Sequence, residues 1–65
     1  MVLVNGAEES GVVGQTIAEF LNQRSAPIEN IVVEQNGTIV HRADFDTTKI
    51  SENDKLELIS FVGGG

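Results

Sequence analysis

The chain contains no cysteine. That excludes disulfides, thiolate metal sites and a cysteine nucleophile, and a disulfide-free domain of this size fits a reducing compartment. Tryptophan and tyrosine are also absent. The only aromatic residues are Phe20, Phe45 and Phe61, which offer no obvious platform for stacked bases. Basic residues are scarce: four Lys and Arg stand against ten Asp and Glu, for a formal net charge of −6. Such a balance repels phosphate backbones and anionic membranes. Neither nucleic acid nor a membrane is an expected partner; a protein with a basic surface is. No apolar stretch is long enough to span a bilayer. The opening Met1-Val2-Leu3-Val4-Asn5-Gly6 lacks the basic region and apolar length of a secretory signal, so the expected address is the cytoplasm. At 65 residues the chain makes one thin-cored domain, burying roughly 60% of the surface it would expose unfolded. That leaves no room for a large enclosed substrate pocket and disfavours self-contained enzyme chemistry.

What is present has a readable order. The apolar run at residues 1–4 ends at Asn5-Gly6, a tight-hairpin signal that predicts a returning strand over about residues 7–13. Thr16-Ile17-Ala18-Glu19 has the form of a capping box, and Ile17, Phe20 and Leu21 recur on one helical face. A helix over about residues 17–24 follows, with Arg24 near its negative dipole end and Ser25-Ala26-Pro27 as its stop. Residues 31–35 form a β-branched run, Asn36-Gly37 marks a second hairpin, and residues 38–41 return. Residues 43–53 are polar and irregular, with Phe45 and Ile50 as core anchors. Residues 55–62 read as the last strand, followed by Gly63-Gly64-Gly65, a tail with no side chains to pack and expected to be flexible. The order β-β-α-β-β-β predicts an α+β fold of β-grasp (ubiquitin-like) type. It would comprise a mixed sheet of four to five strands with one helix across it, a domain over residues 1–62 and a tail over 63–65.

Over its whole length the sequence resembles the thiamin sulfur carriers of the ThiS family. The resemblance rests on the opening Met1-Val2-Leu3-Val4-Asn5-Gly6, on Gly14-Gln15-Thr16-Ile17, and on Val33-Glu34-Gln35-Asn36-Gly37-Thr38-Ile39-Val40. Its most specific part is Asp54-Lys55-Leu56-Glu57-Leu58-Ile59-Ser60-Phe61-Val62-Gly63-Gly64-Gly65. The family often has Pro where His41 stands and Gly-Asp where Asn53-Asp54 stands. Asn tolerates the left-handed backbone nearly as Gly does, so that turn is expected to survive.

The resemblance implies a protein that is itself a substrate and no enzyme. The carboxylate of Gly65 would be adenylated by an E1-like adenylating enzyme of ThiF type, which uses ATP; no cofactor is bound by the carrier. A sulfur donor such as a cysteine desulfurase would displace AMP, and the thiocarboxylate would deliver sulfur to a thiazole synthase of ThiG type. Glycine suits Gly63 and Gly64 because a tail without Cβ atoms can thread a narrow channel. Three extended residues reach roughly 10 Å. If Leu56, Leu58 and Val62 face the helix, alternation puts Glu57, Ile59 and Phe61 on the opposite sheet face. Ile59 and Phe61, with Val62 beside them, are the expected partner-docking residues. The net charge favours a monomer when free.

Other features carry less. Gly11-Val12-Val13-Gly14 has the outline of a nucleic-acid clamp but no basic neighbours, and a hairpin-to-helix connection explains it. His41 is the single imidazole, which gives no metal site. Asp44 and Asp46, Glu8-Glu9 and Glu52-Asn53-Asp54 read as solvated loops and turns. Arg24, Arg42, Lys49 and Lys55 serve either solubility or a partner's acidic loop. The neighbouring functional readings are a molybdopterin-type (MoaD-like) sulfur carrier, a ubiquitin-like modifier that forms an amide with a target lysine, and a plain interaction module.

Overall fold

The computed structural model describes residues 1–61. The first strand, β1 (Val2–Val4), turns at Asn5-Gly6 into β2 (Ala7–Glu9). Both turn residues have positive φ, 51° and 84°, which is the geometry that favours Asn-Gly here. The returning strand stops at Glu9, short of the predicted residue 13. Gly11 and Gly14 take φ of 78° and 92° and bend the chain off the sheet, so that Val12 drops into the core while Val13 stays 52% exposed. The Gly14 amide then donates to the Ile50 carbonyl at 2.8 Å, which makes this segment the hairpin-to-helix connection the sequence suggested.

Helix α1 (Ile17–Gln23) starts on the expected capping box. The Glu19 amide donates to Thr16 Oγ1 at 3.1 Å, and the Thr16 amide donates to Glu19 Oε1 at 2.8 Å. Ile17, Phe20 and Leu21 are buried beneath it. The helix ends one residue earlier than predicted, and Arg24 is its cap. Its stop lies in Ser25, which takes the left-handed conformation at φ 57° two residues before Pro27. The Ser25 amide bonds the Asn22 carbonyl at 3.1 Å and the Ala26 amide bonds the Leu21 carbonyl at 3.0 Å. That pair of bonds is a Schellman closure, and it satisfies two carbonyls that would otherwise be orphaned.

A 3-10 turn (Ile28–Asn30) leads into β3 (Ile31–Gln35), and Asn36-Gly37 returns the chain as β4 (Thr38–Val40). A second 3-10 turn (Arg42–Asp44) opens the irregular stretch, and β5 (Lys55–Ser60) closes the sheet. The strand order is β2-β1-β5-β3-β4, antiparallel except for the parallel β1–β5 pair. Both β4 and β5 are shorter than their predicted spans, ending at Val40 and Ser60; Val62 and Gly63–Gly65, with the domain boundary placed between them, lie outside the described residues. The five-strand mixed sheet with one helix is the β-grasp arrangement.

One apolar core joins the helix to one face of that sheet. Val2, Val4, Val33 and Leu56 from the strands meet Ile17, Phe20 and Leu21, with Val12, Ile31, Phe45 and Ile50 closing the edges. Phe45 and Ile50 are buried as the sequence predicted. Burying such side chains stabilises the fold by about 1.5–3 kcal/mol each. Among the described residues no helix is long and apolar enough to cross a membrane.

Candidate functional site

The strand that carries the chain toward its glycines is the centre of the sheet. β5 lies between β1 and β3, so both of its edges are hydrogen-bonded. Leu56 is buried and Leu58 packs against the core, while Glu57 and Ile59 point to the other face. The alternation predicted for residues 56–59 is therefore present.

Two contacts hold the exit of this strand. The Phe61 amide donates to the Asn30 carbonyl at 3.0 Å, so pairing with the β3 side persists to the last described residue. On the other side β1 has already ended, and the side chain of Asn5 takes over. The Asn5 amide donates to the Leu56 carbonyl at 2.9 Å, and Asn5 Oδ1 accepts the Leu58 amide at 2.8 Å. Asn5 thus extends the parallel ladder by one step beyond its strand. Sequence reasoning saw only a turn residue there; an Asn-Gly pair carries no signal of which distant strand the amide will reach.

The start of β5 is fixed by a residue that was read as a solvated turn. Asp54 is buried, with 6% of its surface exposed. Its carboxylate accepts hydrogen bonds from Gln35 Nε2 at 2.7 Å, Asn36 Nδ2 at 2.9 Å and the Ser51 amide at 2.8 Å. Burial alone would raise the Asp54 pKa; the bonds from Asn36, the Ser51 amide and Gln35 outweigh it and hold the carboxyl below the usual aspartate value. Its neighbour Asn53 adopts φ 70°, so the left-handed turn survives with Asn in place of Gly.

The sheet face turned away from the helix is the candidate docking surface. Ile59 is 49% exposed and Phe61 44% exposed. Val32 sits directly across from Ile59 on β3, half-buried, and Ile39 on β4 is exposed on the same face. The sequence reading found Ile59 and Phe61 but not Val32 or Ile39. The period-2 rule applied to β3 and β4 would have added them. Toward the opposite end of the face, Glu34 and Glu57 stand directly opposite each other. A shallow groove of about 610 Å³ runs there between Leu3, Lys55, Glu34, Glu57, Asn36 and the turn glycines.

The remaining candidates are dispersed. His41 and Asp44 are exposed at the ends of the second 3-10 turn, and Asp46 is exposed beyond it. Arg24 bonds Glu9 at 3.0 Å and its guanidinium lies 5.0 Å from the centre of the Phe20 ring. Arg42 donates to the Glu29 carbonyl at 3.0 Å, one residue from the contact that holds Phe61. Both arginines therefore have structural work within the chain.

Comparison with known proteins decides the family. The family model "ThiS family" matches residues 2–65. The chain belongs to the ThiS family. Its fold superposes on the crystal structure of the thiamine biosynthesis protein ThiS from Geobacter metallireducens with a TM-score of 0.80 and 33% identity, covering 98% of this chain and 97% of that one. It is also similar to a thiazole synthase from Paramagnetospirillum magneticum, 28% identical over 64 residues, and to one from Magnetococcus marinus, 29% identical over 62 residues. This ThiS-family chain spans only about a fifth of the length of those two relatives, 20% and 19%, against 98% and 95% of its own.

Proposed function

We propose that this protein is the sulfur carrier for thiazole formation in thiamin biosynthesis, with the carboxylate of Gly65 as its working group. The carrying observation is the match to the Geobacter metallireducens ThiS at 33% identity over nearly the whole of both chains. The geometry supports it. A central strand, bonded on the β3 side as far as Phe61 and on the β1 side as far as Leu58, gives a firm base from which residues 63–65 can enter another protein's active site.

A carboxylate resists nucleophiles because it is anionic and resonance-stabilised. Attack of a Gly65 oxygen on the α-phosphorus of ATP, within a ThiF-type adenylating enzyme, releases pyrophosphate and leaves a mixed anhydride. The terminal sulfur of a persulfide on the donor, such as a cysteine desulfurase, then adds at the acyl carbon and expels AMP, which carries the oxygen away; a thiol reductant then cleaves the S–S bond of the resulting acyl disulfide. The thiocarboxylate so formed is a nucleophilic sulfur held covalently. A ThiG-type thiazole synthase is its acceptor; the occurrence of similar sequence within two relatives named thiazole synthase supports that pairing. Ordering the tail on docking costs on the order of 1 kcal/mol or more per residue, which keeps each encounter reversible.

Intact mass spectrometry tests the proposal. Incubation with the adenylating enzyme, ATP and a sulfur donor is expected to replace one oxygen of Gly65 by sulfur. A covalent protein conjugate would make the chain a modifier instead, and an unchanged mass would make it a plain interaction module. Deleting Gly65, or adding a residue after it, is expected to abolish charging while circular dichroism and melting stay as in the parent.

A further inference from the structure

The last bond to β5 on its β1 side is made by a side chain where a strand would use its backbone. β1 pairs with β5 at Leu3 opposite Lys55 and Val4 opposite Leu56, and ends there. The Asn5 amide still donates to the Leu56 carbonyl at 2.9 Å, as the next residue of a parallel strand would. At φ 51° the main chain then turns off into the hairpin, and Asn5 Oδ1 accepts the Leu58 amide at 2.8 Å. On the other side, β3 keeps Val32 opposite Ile59 and Ile31 opposite Ser60, and the Asn30 carbonyl takes the Phe61 amide.

The turn does not require this bond. Its first position calls for a left-handed residue, which Gly or Asp also supplies. What Asn adds over Gly is an acceptor, and that acceptor reaches a strand 53 residues along the chain. Residues 59–65, drawn out in a partner's channel, would span roughly 23 Å beyond it. A strand held on one edge alone can pivot about that edge, and over such a span a pivot of about 3° shifts the end by about 1 Å. A misplacement of that size at reacting atoms costs up to about a hundredfold in rate.

We propose that Asn5 is a positioning residue for sulfur loading: by holding Leu58 it fixes the β1 edge of β5 and so aims the Gly65 carboxylate at the α-phosphorus of ATP in the adenylating enzyme. The inference rests on the carrier reading and adds to it a residue of the first hairpin. Ile59 and Phe61 keep their β3-side partners without this bond, so recognition survives its loss while productive alignment does not.

The test is steady-state sulfur loading by a purified ThiF-type adenylating enzyme with ATP, a persulfide donor and a thiol reductant, the carrier being the varied substrate. Asn5→Gly keeps the turn and loses the acceptor; Asn5→Asp keeps both. Asn5→Gly is expected to speed hydrogen exchange of the Leu58 amide about tenfold or more. It is also expected to lower kcat about tenfold and leave KM within about twofold of the parent. Asn5→Asp is expected to restore exchange and kcat to within about threefold. Thr16→Ala, which loses stability at the helix cap instead, is expected to load at the parent rate. Any of four results would overturn the positioning role alone: unchanged Leu58 exchange or parent-like kcat in Asn5→Gly, a raised KM in place of a lowered kcat, an equal loss in Asn5→Asp, or an equal loss in Thr16→Ala. Collapse of the Asn5→Gly fold would also overturn it, by making Asn5 a requirement of the hairpin. A parent chain that takes up no sulfur overturns the carrier reading, and the positioning role falls with it.

Discussion

Asp54 and Asn36 lock the two halves of the sheet together. Asn36 Nδ2 donates to Asp54 Oδ1 at 2.9 Å, while Asn36 Oδ1 accepts the Lys55 amide at 2.9 Å. One side chain in the β3–β4 turn thus holds both the carboxylate before β5 and the first amide of β5. Strand β5 cannot shift register against β3 without breaking both bonds.

The pH dependence of stability follows from this carboxylate. Its folded pKa is depressed, so the stabilisation it contributes is present above the unfolded value of about 3.9 and is lost as pH falls through the lower folded value. Asp54→Asn keeps the size of the group but turns a donor toward Gln35, Asn36 or the Ser51 amide. It is expected to cost about 1–3 kcal/mol at neutral pH. It is also expected to flatten the acid limb below about pH 4. Urea melts of parent and variant between neutral pH and acid would check both.

The capping box gives a local test. Thr16→Ala removes the acceptor of the Glu19 amide and is expected to destabilise by about 1 kcal/mol, or about 4–8 °C in melting temperature. Since Thr16 also bridges Lys49 through its backbone, that contact survives the change. Equal melting temperatures for parent and variant would show that the box contributes nothing.

Ser25 offers a change in the other direction. At φ 57° it occupies the closing position of the Schellman motif, where Gly is unstrained. Relief of about 1–2 kcal/mol of backbone strain outweighs the extra freedom of glycine in the unfolded chain. Ser25→Gly is expected to stabilise by about 0.5–1 kcal/mol. A lower melting temperature would show that the Ser25 side chain does more than tolerate the turn.

These positions also mark where the sequence was legible. The order of elements along the chain, both Asn-Gly turns, the capping box and the Phe45 and Ile50 anchors follow from period, propensity and turn chemistry, which are local. Val12 and Asp54 do not. Whether a glycine bends a strand off its sheet, or whether a carboxylate finds two of its three donors in a distant hairpin, depends on chain parts up to 19 residues apart. The same holds for Asn5, which reaches 53 residues along the chain to Leu58. On the open face, alternation placed Ile59 correctly. The Glu34–Glu57 opposition needed the β3–β5 register, which composition does not encode.

The proposed docking surface yields the sharpest functional expectation. Ile59 and Phe61 keep about half of their surface in solvent, at 49% and 44%, and Ile59 lies opposite the face on which Leu56 is buried. Truncating both to alanine therefore opens no core cavity, and stability is expected to change by less than about 1 kcal/mol. An anchor side chain buried at a protein interface is worth more, about 1–2 kcal/mol or higher when truncated. Ile59→Ala/Phe61→Ala is expected to weaken binding to the adenylating enzyme by about tenfold or more while melting near the parent temperature. Calorimetric titration alongside thermal melts separates the two effects. Undiminished affinity would move the docking surface off this face, whereas a collapse in melting temperature would show that these side chains serve the fold.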